Sequence, residues 1–128
     1  MTHEKLSQLA ERLMEIPGQM AEAQTQILDR STEAQKIQAE ITKREAEIRS
    51  EIAGEIDGAG KKVYSNEDTR KAAFLERTSN SIDLIQLREE FETVQTKVQI
   101  FKIDYEELSN EQRNIRTLLY FFGKGGEE

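Results

Sequence analysis

The sequence predicts an all-α protein: a long antiparallel helical hairpin, packed as a coiled coil, with a short helix in the connection and an oligomeric state. Three observations carry this reading. Charged residues make up 34% of the chain and hydrophobic ones 36%, with one proline among 128 residues, a balance that suits long helices better than a thick core. Two stretches repeat apolar side chains at alternating steps of three and four. Between them, GEIDGAGKK brings three glycines close together and interrupts the helical pattern.

The first stripe runs Leu6, Leu9, Leu13, Ile16, Met20, Ala23, Ile27, Arg30, Ala34, Ile37, Ile41, Arg44 and Ile48, with only Arg30 and Arg44 charged. Such spacing returns apolar groups to one seam about every 3.5 residues, which is what two paired helices require. Pro17 lies within it, and proline removes a helical hydrogen bond and crowds the preceding turn. The expectation is a kink or break there, with a short helix over 1–17 and a long one over 19–53.

Beyond it, Gly54, Gly58 and Gly60 are expected to end the long helix where positive φ is needed. The connector spans 54–81. Ser65, Asn66, Glu67 and Asp68 supply capping groups and early acids, predicting a short helix over 68–77. Thr78 to Ser81 then breaks it, and Ser81 is the next candidate cap, with an unbroken helix as the alternative.

The second stripe runs Leu84, Leu87, Phe91, Val94, Val98, Phe101, Tyr105, Leu108, Gln112, Ile115, Leu119 and Phe122, predicting a helix over 82–122. At a rise of about 1.5 Å per residue the two long helices span roughly 50 and 60 Å, a match in length that permits antiparallel pairing. A further apolar row, Ile82, Ile85, Ile100, Ile103, Leu118 and Phe121, recurs at intervals of about five helical turns, roughly opposite the seam. A helix apolar on two sides is buried on two sides, which predicts an oligomer interface at these six residues. Leu118 to Phe122 is apolar all round the helix, so pairing of two helices leaves some of it for the 6–16 segment, a neighbouring subunit or a partner protein. Residues 1–122 therefore read as one helical hairpin domain and 123–128 as a disordered tail.

The formal charge is −7, yet the connector balances 5 basic against 5 acidic residues while 1–53 carries 7 against 10 and 81–128 carries 6 against 10. An acidic chain is a poor general coat for nucleic acid, which leaves only a local contact at the connector. With no cysteine and one histidine, neither a thiolate metal site nor the usual catalytic constellations can be assembled. His3 reads as a surface residue, and adjacent acids such as Glu89 and Glu90 as a solvated face. No apolar run approaches the ~20 residues of a membrane span. No enzyme activity, catalytic residue, metal or cofactor is expected, and the expected location is cytoplasmic.

The glycines and Lys61 invite comparison with a phosphate-binding loop, but the pattern fails. Five residues separate Gly54 from Gly60, Lys61 is followed by Lys62 instead of a hydroxyl residue, and the preceding 48–53 reads as helix, not strand. What remains is a set of side chains that a turn does not require: Lys61, Lys62, Tyr64, Arg70 and Lys71. An aromatic ring among cations can stack on a base or meet a phosphate, so these five are the candidate binding residues.

KVYSNEDTRKAAFLER, followed by a long charged helix, resembles small helical proteins of bacteriophages and prophages found within gene clusters for DNA recombination and replication. The resemblance covers roughly residues 54–122, and Tyr64, Asn66, Arg70 and Lys71 match its recurring positions. It implies a non-enzymatic accessory or scaffold in phage-type DNA metabolism, a homo-oligomer that binds a protein partner or single-stranded DNA. Two other readings fit the same composition: an acidic inhibitor of a host nuclease or defence protein, and a prefoldin-like chaperone. The first is weakened by the modest charge of the helices, the second by the shortage of strand-forming sequence beyond Lys62-Val63-Tyr64.

Overall fold

The structure is a computed structural model that describes residues 1–125. Among the described residues it is all-α: α1 spans His3–Gly54, α2 Glu67–Asn80 and α3 Ile82–Gly125, with no strand and one isolated antiparallel bridge, Ile56 to Lys62. The chain packs as two compact units, one of Met1–Ser31 with Thr96–Glu128 and one of Thr32–Gln95. Helix α3 continues beyond the expected end at residue 122. Residues 126–128, the rest of the expected disordered tail, lie outside the described residues.

Contrary to the expected division after residue 17, α1 runs unbroken through Pro17. Pro17 and Gly18 are both exposed, while Ile16 beside them is 0% accessible. An interior proline costs about 3 kcal/mol, and full burial of an isoleucine returns roughly 1.5–3 kcal/mol. Seam burial on both sides of Pro17, at Leu13, Ile16 and Met20, thus offsets the lost hydrogen bond and holds the helical phase.

In the unit containing Pro17, Ile16 and Ala23 of α1 and Val98 and Ile115 of α3 are buried. The bidentate contact of Arg12 with Glu111, at 2.7 Å for each hydrogen bond, joins the two helices. The other unit has a core of Ala34, Ile37, Ile41, Ile48, Ile52, Ala73, Leu84 and Val94, against which Tyr64, Phe74, Leu87 and Phe91 pack. Every seam position of both stripes is buried or partly buried. The two charged members of the first stripe, Arg30 and Arg44, are partly buried with their Nε atoms shielded from solvent, and Arg44 Nη1 pairs with Glu47 at 3.3 Å.

The glycine segment is an ordered turn. Asp57 Oδ1 accepts from the backbone N–H of Ala59 at 2.8 Å and of Lys61 at 3.0 Å, and the Asp57 N–H donates to the Lys61 carbonyl at 2.7 Å. Val63 N–H then donates to the Glu55 carbonyl at 3.0 Å, closing a miniature hairpin. Positive φ was expected wherever glycine ends the helix. Among the described residues it occurs at Gly60 alone, φ +80, so Gly54 closes α1 without it. Only Gly60 occupies the left-handed conformation that favours glycine in such a turn.

Helix α2 is longer than the expected 68–77. Asn66 is its N-cap, its side chain accepting from Thr69 N–H at 2.9 Å while Thr69 Oγ1 takes the Asn66 N–H at 3.4 Å. The helix absorbs Thr78, Ser79 and Asn80 because their side chains bond back to carbonyls of Leu75 and Glu76. Ser81 alone, φ −80 and ψ 109, separates α2 from α3, and its hydroxyl accepts from Leu84 N–H at 3.4 Å.

Candidate functional site

The five connector residues proposed from sequence do not converge. Lys61 and Lys62 are exposed on the turn. Tyr64 instead packs on the core of its unit, with the Arg77 guanidinium 5.7 Å from its ring centroid and its carbonyl accepting from Arg70 Nη1 at 3.4 Å. A ring so engaged is not a free stacking platform for a base. Arg77 also pairs with Glu55, so the loop, Tyr64 and α2 are tied together at one point. The Glu55 carboxylate first, and Tyr64 second, raise the Arg77 pKa above its ordinary value.

Arg70 and Lys71 belong to a groove between α1 and α2, a cavity of about 560 Å³ lined by Arg49, Ile52 and Ala53 from the first helix and Glu67, Arg70, Lys71, Phe74 and Leu75 from the second. Both sets recur at steps of three and four, so each is one helix face. Arg49 places its guanidinium carbon 4.2 Å from the centroid of the Phe74 ring. Sequence reasoning found Arg70 and Lys71 but missed Arg49, Phe74 and Leu75. Their shared spacing on two helices is the signal, and it is legible only once the turn brings those helices side by side.

The six α3 residues expected at an oligomer interface are all exposed, from 36% at Leu118 to 71% at Ile82. Ile82 and Ile85 lie in the 32–95 unit, Ile100, Ile103, Leu118 and Phe121 in the other. Near the end of α3 the exposed rings of Tyr120 and Phe121 meet edge to face, centroids 6.3 Å apart. Phe122, in contrast, is partly buried and shares a shallow cleft with Met1, Thr2, His3 and Lys5. The terminal apolar cluster is thus divided between packing and exposure.

In the same unit, α1 and α3 frame an open groove lined by Arg12, Glu22, Asp104, Glu107 and Glu111, with Glu111 in contact with Arg12. Hydrogen bonding from Arg12 holds the Glu111 carboxyl below the usual carboxylate range. Among the described residues no group of three or more histidine, aspartate or glutamate side chains is placed to hold a metal ion. None of the described helices is long and apolar enough to cross a membrane.

Compared with protein-family models, curated proteins and solved structures, the chain matches none of them.

Proposed function

We propose that this chain is a non-enzymatic coiled-coil scaffold whose long helices pair as an antiparallel hairpin, self-associate through the outward side of α3 and hold a protein partner. The observation that carries this reading is the division of apolar residues on α3. Its seam side chains are buried or partly buried, whereas Ile82, Ile85, Ile100, Ile103, Leu118 and Phe121 are exposed. Large apolar groups recurring on one side of a helix favour contact with another protein surface, because water solvates them poorly and folding has not covered them. Protein is favoured over single-stranded DNA as the partner by the net charge of −7 and by the engagement of Tyr64 with its own core.

The process rests on the resemblance of roughly residues 54–122, with its motif at 62–77, to phage proteins, which supports a place in phage-type DNA recombination or replication. Affinity capture from phage-infected lysate tests the reading, comparing wild type with an Ile103→Glu, Phe121→Glu double variant. One protein retained in near-stoichiometric amount by wild type and lost with the variant is the expected result. Retention of nothing, or retention abolished by nuclease alone, contradicts it.

A further inference from the structure

We infer that the groove between α1 and α2 receives an acidic peptide segment bearing a large apolar anchor, a proposal that goes beyond the reading above by adding a protein-binding site separate from the α3 row. Three cations, Arg49, Arg70 and Lys71, line the groove against a single carboxylate, Glu67, within a chain that is otherwise acidic. Ile52, Ala53, Phe74 and Leu75 supply apolar surface between them. Leu75 is 64% exposed in the free chain, so it has area to lose on contact. Ile52 is fully covered and belongs to the core, which makes that wall of the groove rigid.

The cations are arranged for carboxylates. Arg49 is stacked on Phe74, which restricts the guanidinium and leaves a planar donor suited to bidentate carboxylate binding. Its ion pair with Glu45 is long at 3.9 Å. Lys71 meets Glu67 at 3.4 Å, one helical turn apart with both side chains largely exposed, and such pairs are among the weakest in proteins. An incoming carboxylate can therefore replace Glu67 readily. Single-stranded nucleic acid fits less well, because Arg49 already occupies a face of Phe74, and a base needs an open ring on which to stack.

The test uses the full chain and a fluorescein-labelled peptide of aspartate and glutamate residues with one phenylalanine and one leucine, read by fluorescence anisotropy. Saturable binding is expected, weakened about tenfold by Arg49→Glu or by Lys71→Glu. Leu75→Gln, a neutral change at an exposed position with comparable helix propensity, is expected to weaken it by a similar factor. Absence of saturable binding overturns the proposal. So does binding indifferent to Leu75→Gln, or equal competition by an oligothymidine, since either outcome reduces the groove to a patch of charge. Sedimentation of the same samples reports self-association separately. A failed groove with intact association refutes this inference alone.

Discussion

Two glycines two positions apart in the turn, Gly58 and Gly60, should respond in opposite directions to the same substitution. Gly60 has φ +80, and an alanine held in the left-handed region is strained by roughly 1–2 kcal/mol whatever space surrounds it. Gly58 lacks positive φ, and a Cβ placed there meets nothing within 4 Å. Gly58→Ala should then stabilise by about 0.4–1 kcal/mol, because alanine narrows the unfolded ensemble. That unfolded-state gain also acts at Gly60, leaving a net loss of about 1 kcal/mol for Gly60→Ala. Urea unfolding followed by far-ultraviolet circular dichroism separates the two variants. Asp57→Ala, which removes the acceptor for two backbone N–H groups, should also destabilise, by about 1 kcal/mol. Equal responses at Gly58 and Gly60, with no effect at Asp57, would show that the segment is a loose connector and refute the ordered turn.

Pro17→Ala restores a helical N–H at an exposed position and should stabilise by up to about 3 kcal/mol in a urea titration, with little change in helical signal because α1 is already continuous. Leu84→Ala truncates a side chain with 0% exposure in the core of the 32–95 unit and should cost about 2–5 kcal/mol in the same assay. Glu111→Gln removes the α3 carboxylate held by Arg12, leaving its contacts with Glu15 and Gln19, and tests a pH dependence. The folded carboxyl titrates below its unfolded value, so its contribution is fully present above the unfolded pKa and fades as pH falls through the folded one. Thermal melts should show wild type ahead of the variant by a constant margin near neutrality, shrinking as pH falls through the ordinary carboxylate range toward the lower folded pKa.

Periodicity made the seam legible, because burial along a helix follows spacing alone. Each seam residue from Leu6 to Ile48 and from Leu84 to Phe122 is at least partly buried, and Ile103 and Phe121 stand exposed on another side. Asn66 was recognisable as a capping candidate because the cap is a local device whose partner, Thr69, lies three residues away. Pro17 was misleading. Its local penalty is fixed by proline chemistry, but continuity depends on the burial of Ile16 and of the seam residues on either side, which the folded unit decides and the local sequence does not. The length of α2 was obscured for a related reason: Thr78, Ser79 and Asn80 favour turns by composition, yet in the helix they satisfy themselves on Leu75 and Glu76 carbonyls.

The candidate site was less legible. Tyr64 carries the same letters whether its ring faces solvent or, as here, packs on the core of the 32–95 unit beside Arg77. The pairing of Arg49 with Phe74 joins residues of two helices through the turn at Asp57 and Gly60, a geometry that neither helix encodes alone.

Sedimentation equilibrium at micromolar concentration tests the central claim most directly, applied to wild type and to the Ile103→Glu, Phe121→Glu variant. A wild-type oligomer that becomes a folded monomer in the variant is the predicted result. A wild-type monomer across that range, or an oligomer indifferent to both substitutions, contradicts self-association through α3.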